Sequence, residues 1–217
     1  AGFALLWLRC AAAGGASYFT VNLESSAMRI YFDGRPFKRE ELADPYRCLF
    51  DKRSKETERN RLLAVGLLSA LRLAPLPIIF SSGARGKRFS LQLVSLEKET
   101  FQDEPDPHND TAIEIEWGRV SITGEASQRA AALEAVTLLR EGCSLSNLQI
   151  TIDGEKLPGW REAAAGRSLF EDGPSRGWVA VPEEPVTESS IELYSHGARV
   201  ETLSMKLPVA QLRAKGY

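Results

Sequence analysis

The first third of the chain alternates between helix-type and strand-type spacing of its apolar residues. Residues 3–13 are rich in Ala and Leu and are followed by Gly14-Gly15, a pattern that predicts a helix and its end. Residues 18–24 and 28–32 alternate apolar or aromatic residues with polar ones, which predicts two strands. Because only a short polar turn separates these strands, we expect a β-hairpin directly after the helix.

The pattern changes after this hairpin. Residues 33–36, Asp-Gly-Arg-Pro, are a turn signal, and residues 38–42 are expected to form a short surface helix. The charged run 51–61 lacks hydrophobic periodicity, which indicates a solvated, mobile segment, with a lid over a ligand as the functional alternative. Residues 62–74 are apolar all round, which predicts a buried helix that ends before Pro75.

The rest of the chain alternates predicted strands with one amphipathic helix. Ala, Leu and Val recur at helical spacing over residues 126–141, which predicts that helix. Residues 103–110 are rich in Asp, Pro and Asn and are expected to be irregular, and residues 158–176 are expected to be a long loop. Strands are predicted at 77–81, 87–96, 111–117, 147–152, 177–181, 190–195 and 198–204.

A change in composition near residues 120–126 predicts a domain boundary. We expect one domain over residues 1–122 and a second over residues 126–217. The fold class predicted for the chain is α+β: a mixed or antiparallel sheet covered by helices, followed by a smaller α+β domain.

Composition narrows the classes of function. Hydrophobic residues make up 43% and charged residues 26% of the 217 positions, as in ordinary globular proteins. The net charge of −2 offers no global positive field for nucleic acid or an anionic membrane, and no apolar run reaches the roughly 18 residues of a membrane helix. We therefore expect a cytoplasmic protein without nucleic-acid or membrane partners.

Cysteine and histidine spacing argues against a metal site. The three cysteines, Cys10, Cys48 and Cys143, are widely spaced and form no C-x-x-C pair, and the histidines are His108 and His196. A disulfide framework is equally unexpected, so each cysteine is interpreted as a small buried apolar residue in a reducing compartment.

Several segments, taken in order, resemble a known family. They are AAAGGASYFTVNL, MRIYFDGRPFKREEL, ERNRLLAVGLLSAL, and SSGARGKRFSLQL with DTAIEIEW. Over residues 1–120 they resemble the GHKL (Bergerat) ATP-binding fold of histidine kinases, gyrase, the MutL mismatch-repair proteins and the ninety-kilodalton heat-shock chaperones. In the second half, NLQITIDGEKL and IELYSHGARVETL resemble strand-turn-strand units of the transducer domain of chaperone and MutL-type ATPases. The chain begins without Met, inside a motif helix, so a fragment or a lost leading segment is expected.

The resemblance implies a specific set of nucleotide-handling groups. It implies a Glu general base on the first helix, an Asn four residues later on Mg²⁺, and an Asp that accepts from adenine. In this chain the base position falls on Leu6, the metal position on Cys10 and the adenine position on Phe32, with Asp33 one place late. Leu has no titratable group, and a thiol is a poor ligand for hard Mg²⁺.

A few positions keep residues that suit a nucleotide site. With Cys10 and Phe32 expected to line the same pocket, the candidate nucleotide-contacting residues are Asp33, Gly34, Gly66 and Thr111. No catalytic or metal-binding residue is predicted.

The resemblance and the replaced residues together predict a degenerate ATPase-fold module. We expect it to be non-hydrolytic, to need no cofactor, and to act through a protein partner or self-association in a chaperone-like or regulatory assembly. Two alternatives stay open. One is a pocket that still binds a nucleotide. The other is a working chaperone-like ATPase that uses ATP and Mg²⁺, with a base such as Glu40 or Glu41.

Overall fold

The computed structural model of the chain describes residues 2–52, 54–72, 77–84, 87–95, 99–104, 110–117, 122–163, 168–172, 175–179 and 188–206. Its helices are α1 Phe3–Ala13, α2 Arg39–Ala43, α3 Lys55–Leu71, α4 Ile122–Gly142 and α5 Trp160–Ala163, with a 3₁₀ turn at Arg47–Leu49. Its strands are β1 Tyr18–Leu23, β2 Ala27–Phe32, β3 Ile78–Ala84, β4 Lys87–Leu93, β5 Glu99–Glu104, β6 Thr111–Glu116, β7 Gln149–Ile152, β8 Glu155–Lys156, β9 Ser168–Asp172, β10 Ser175–Val179, β11 Glu188–Ser195 and β12 Ala198–Lys206.

The main sheet has eight strands in the order β5-β4-β3-β6-β2-β1-β7-β8. All neighbouring strands are antiparallel except β1 and β7, which are parallel, so the sheet is mixed. The strand pairs β9–β10 and β11–β12 form two further two-stranded sheets. The predicted α+β class with a helix-covered mixed sheet is confirmed.

The register of the main sheet sorts apolar side chains to one face. Because strand residues alternate between faces, paired residues across the sheet share a face. A continuous row of buried residues crosses six strands: Ile152, Val21, Ile30, Ile113, Phe80 and Leu91. The other face is polar and includes the row of Asn22, Arg29 and Glu114, where Arg29 donates to Glu114 at 3.0 Å. One face of the sheet therefore forms the core with the helices.

Helix α1 is central to the helical layer and contacts both α3 and α4. The α1–α3 contact is close because α3 carries Gly66 where it crosses Trp7. A Cβ added to Gly66 would lie 2.3 Å from Nε1 of Trp7, which is fully buried. The glycine therefore leaves the room that the indole occupies.

The predicted hairpins are confirmed. Strands β1 and β2 pair antiparallel, as the alternation indicated. In the two strand-turn-strand segments, Asp153-Gly154 joins β7 to β8 and His196-Gly197 joins β11 to β12, and all four of these residues have positive φ. Two adjacent positive-φ residues are typical of the tight turns that match strand twist.

Two segments predicted to be irregular or loop contain regular structure. Residues 103 and 104, predicted to be irregular, belong to β5, which the sequence analysis missed. The predicted loop 158–176 contains α5 and β9, and β10 begins within it. Residues 105–109 lie outside the described part of the chain. Short polar strands escape pattern analysis because pairing with a neighbour, rather than apolar alternation, defines them.

The interpretation of residues 51–61 as a solvated segment is wrong for its second half. Ser54 caps the helix that begins at Lys55, with Thr57 N donating to Ser54 Oγ, and α3 runs from there to Leu71. The dense charge of the run concealed its helical spacing, although Arg59 within it is buried. The helix predicted over 62–74 is therefore the continuation of a longer one.

Strand pairing crosses the predicted domain boundary. β7, from the second predicted domain, pairs in parallel with β1, so that Phe19 lies opposite Ile150 and Val21 opposite Ile152. The predicted helix at 126–141 is present as α4, which starts at Ile122 and packs on α1. The division into domains at 120–126 stays a prediction.

A search of the described residues for helices that could span a membrane finds none with sufficient length and apolar character.

We predict that Gly66→Ala destabilises the protein by about 1–3 kcal/mol, because the new methyl group overpacks the contact with Trp7. An exposed helical glycine would show the opposite sign, since Ala favours helix by about 1 kcal/mol. Urea unfolding measures the change. Gly159→Ala is the control, because its nearest neighbour atom is 4.0 Å from the added Cβ. An unchanged or increased stability of Gly66→Ala would contradict the described packing.

Candidate functional site

The turn after β2 is held against the end of α1. Arg35 N donates to Gly14 O at 2.9 Å, and Gly34 has φ of +96°. A Cβ on Gly34 would lie 2.8 Å from Ala16 N, so both conformation and space favour glycine here. This close approach of two backbone segments forms one wall of the candidate site.

Asp33 is engaged by the backbone next to this turn. Its Oδ1 accepts from Ser17 N at 2.6 Å and Tyr18 N at 3.1 Å, and its Oδ2 accepts from Ser17 Oγ at 2.5 Å. Partial burial alone would raise the pKa of Asp33, but these donors outweigh it and hold the pKa below its ordinary value. The carboxylate thus ties the start of β1 to the end of β2.

Thr111 lies beneath the same turn. It is buried opposite Phe32 in the sheet, and its hydroxyl is 2.8 Å from Ser82 Oγ. Ser82 Oγ in turn accepts from Phe37 N at 3.0 Å. The two hydroxyls therefore fix the far end of the turn to β3 and β6.

Arg59 fills the space between α1, the turn and α2. Its side chain is 1% exposed, and its guanidinium carbon lies 3.9 Å from the centre of the Phe37 ring. Nη1 donates to Arg35 O at 2.6 Å, and Nη2 donates to Glu41 Oε2 at 2.9 Å. Its Cδ also lies 3.2 Å from where a Cβ on Gly14 would stand. A guanidinium therefore fills the space between the end of α1, the 33–37 turn and Glu41 of α2.

Glu41 completes this polar cluster. Its Oε1 accepts from Asn60 Nδ2 at 2.8 Å, and its Oε2 accepts from Lys38 N at 2.7 Å as well as from Arg59. Burial raises the pKa of Glu41, but these donors and the charge of Arg59 more than compensate and lower it overall. Burial conversely lowers the pKa of Arg59, and Glu41 opposes that shift. The ion pair is thus hydrogen-bonded on both sides, as a buried pair requires.

The structure places the remaining predicted site residues apart from this cluster or in the core. Phe32 is buried and stacks on Phe19 at 5.9 Å between ring centres. Cys10 is fully buried, and burial raises the pKa of its thiol to about 12. Gly66 lies about two helical turns from Arg59, against Trp7. Of the predicted set, Asp33, Gly34 and Thr111 are the residues that converge on the turn.

The sequence analysis missed Arg59. Its signal was present: Ser54 and Thr57 form a helix-start pattern, and counting from there places Arg59 on the face of Leu63 and Ala70. The high charge of residues 51–61 favoured a solvated segment over a helix, so this spacing was not used.

The side chains at the base and metal positions differ from those that the resemblance implies. Leu6 provides no base, Cys10 provides a buried protonated thiol, and the carboxylate of Asp33 already accepts three hydrogen bonds. Among the described residues, no group of three or more His, Cys, Asp or Glu side chains is arranged to hold a metal ion.

Comparisons with known proteins return a structural similarity. No protein-family model matches the chain, and no curated protein matches it. Among solved structures, the chain is similar to the Aquifex aeolicus MutL ATPase domain complexed with ADP, with a TM-score of 0.48 and 11% sequence identity. The match covers 79% of this chain and 72% of that one.

We predict that Arg59→Met destabilises the protein by about 3–5 kcal/mol, because it leaves the Glu41 carboxylate partly buried without its cation. Adding Glu41→Gln should recover part of this loss, since the unpaired charge is then gone. Urea unfolding of both single variants and the double variant measures this coupling. Arg129→Met, at an exposed site, is the control and should change stability by about 0.5 kcal/mol or less. A similarly small effect of Arg59→Met would contradict the described burial.

The lowered pKa of Glu41 predicts an acid-dependent stability. Because its folded pKa lies below its ordinary value of about 4.5, its contribution is fully present above that value and is lost as pH falls through the folded pKa. Unfolding free energies measured from neutral pH down to acid should therefore decline less steeply for Glu41→Gln than for the natural sequence. Equal slopes would show that Glu41 titrates alike in the folded and unfolded states.

Proposed function

We propose that this chain is a degenerate GHKL-type module that does not hydrolyse ATP and acts through contacts with other protein surfaces. The observation that carries the proposal is the burial of Arg59 beside Gly14 and the 33–37 turn. A guanidinium bonded to two backbone carbonyls and Glu41 fills space that a ligand would need.

The chemistry of the surrounding side chains supports the same proposal. A buried polar group without a ligand costs about 1–3 kcal/mol, so a site released from catalysis favours apolar replacements. Leu6, Cys10 and Phe32 are such replacements at the positions that the resemblance assigns to the base, the metal and adenine. Phe32 and Cys10 both belong to the hydrophobic core.

Exposed apolar side chains support a role in protein contacts. The β11–β12 ribbon pairs Ile191 with Leu203, and Leu193 lies two residues further on the same face. All three are exposed, and so is Phe50, which is 89% exposed. Apolar residues clustered on one surface are typical of interaction sites.

A specific observation favours the alternative of retained nucleotide binding. Asp33, Gly34 and Thr111 still converge on one turn, next to a glycine-rich helix end that allows close backbone approach. This alternative requires Arg59 to leave its position, because the side chain occupies the space described above.

We predict that Mg-ATP and Mg-ADP leave the melting temperature unchanged. A ligand at 100 times its dissociation constant adds about 2.7 kcal/mol of stability, so binding in that range would be visible in a thermal shift experiment. The variant Leu6→Glu/Cys10→Asn/Phe32→Asp tests the alignment behind the proposal. Gain of nucleotide binding by this variant would support the alignment.

The natural sequence provides the decisive comparison. A rise of its melting temperature that saturates with Mg-ATP concentration, together with phosphate release that depends on Glu40 or Glu41, would establish the ATPase alternative. A rise without phosphate release would establish nucleotide binding without hydrolysis and would still contradict the packed site. Inorganic phosphate with Mg²⁺ alone controls for nonspecific ionic effects.

A further inference from the structure

The outer surfaces of α1 and α3 form a groove that is separate from the Arg59 cluster. Its volume is about 470 Å³, within the range of small-molecule sites. The groove is lined by Leu6, Arg9, Ser54, Glu58, Arg61, Leu62 and Val65. On α3 these residues share the face that repeats every three to four positions from Ser54 to Val65, whereas Arg59 lies on the buried face.

One part of the groove is apolar. Leu6 comes from α1, and Leu62 and Val65 come from α3. Leu62 is nearly buried, while Val65 is 40% exposed without packing against another element over that area. Contact between these side chains and the apolar part of a small ligand would be favourable, because it removes apolar surface from water.

Arg9 contributes a hydrogen-bond donor with unused capacity. Its Nε is buried and has no hydrogen-bond partner among the described residues. Its Nη2 donates to Ser195 Oγ at 3.4 Å, a long contact. Burial lowers the pKa of Arg9, and the charge of Glu58 opposes that shift. Arg9 as a whole is only partly buried, so an anionic oxygen in the groove would be stabilised by its guanidinium.

Two other polar groups of the groove, Arg61 Nη1 and Ser54 Oγ, form hydrogen bonds within the protein. Arg61 Nη1 donates to the carbonyls of Cys48 and Leu49, at 2.7 Å and 3.1 Å. Ser54 Oγ accepts from Thr57 N as the helix cap. Arg9 is therefore the group through which the groove would recognise an anion.

Glu58 restricts the charge of that anion. Its Oε1 lies 3.8 Å from His196 Nδ1, and it lines the groove together with the two arginines. A carboxylate at this position repels a dianion about twice as strongly as a monoanion. The groove thus combines an apolar surface, one available guanidinium and a charge that disfavours phosphate.

We propose that the α1–α3 groove binds a small monocarboxylic acid with an apolar body, with its carboxylate on Arg9 and its apolar part on Leu6, Leu62 and Val65. The groove shares Leu6, the base position of the resemblance, but holds no residue of the 33–37 turn, and the ligand class goes beyond the proposed function. An acid of about ten non-hydrogen atoms is expected to bind with a dissociation constant on the order of 1 mM or below.

The experiment is an NMR titration of the ¹⁵N-labelled chain with phenylacetate, phenylacetamide and inorganic phosphate. We expect phenylacetate to shift the Arg9 Nε–H signal and the α1 and α3 amide signals saturably. The neutral amide and phosphate should bind at least about tenfold more weakly, since one lacks the charge and the other lacks the apolar body. Absence of saturable shifts with phenylacetate, or equal binding of the amide or of phosphate, would overturn the proposal.

Two variants tie the binding to the groove. Arg9→Met should weaken phenylacetate binding at least about tenfold, and the exposed Arg129→Met, as the matched control, should not. Leu6→Glu keeps Arg9 but adds a second carboxylate beside that of Glu58 and removes an apolar contact, so it should also weaken binding at least about tenfold. Melting curves identify any variant that fails to fold. Undiminished binding by either folded groove variant would refute the assignment of the site.

Discussion

The arrangement of this protein's helical layer depends on a buried ion pair between Arg59 and Glu41. Arg59 reaches from α3 across the end of α1 to the carbonyls of Arg35 and Pro36, and Glu41 holds the guanidinium from α2. Two helices and the turn after β2 are thereby joined by one side chain, and Phe37 covers its face. A buried charge is tolerated only when its hydrogen bonds are met, so every element that donates or accepts here is constrained by the others.

The rest of the fold places this cluster at the edge of a large apolar core. The register of the sheet brings one apolar row from β7 to β4 onto a single face, and α1 lies against it between α3 and α4. Asp33 and Thr111 then hold the turn at both ends, one through backbone donors and one through a pair of hydroxyls. The polar groups that the sequence marked as a candidate ligand site therefore serve, in this structure, to fix the backbone around Arg59.

The two faces of the α1–α3 helix pair differ in how closely they are packed. Its inner face is packed so closely that Gly66 is needed beside Trp7, while its outer face leaves a groove with an unsatisfied guanidinium nitrogen. The proposed loss of a nucleotide site rests partly on Leu6 and Cys10, which stand where the resemblance implies polar residues. The groove shows that the same replacement, at Leu6, contributes to a surface of different character. The proposed loss of nucleotide binding rests on the packed space around Arg59, and the proposed acid-binding site rests on the open α1–α3 groove.

Hydrophobic periodicity in the sequence was sufficient to predict α1, the β1–β2 hairpin, the strands near 78, 87 and 111, and the helix over 126–141, because each buries an apolar pattern of its own. It did not predict β5 or β9, whose strands are defined by hydrogen bonds to neighbours. Helical spacing puts Arg59 on the apolar face of α3, but it could not identify the acceptors of its hydrogen bonds, because only the tertiary structure brings Arg35, Pro36 and Glu41 to it. The local pattern thus determined the helices and strands that bury an apolar pattern of their own, whereas long-range hydrogen bonding decided the remaining strands and which polar residues are structural.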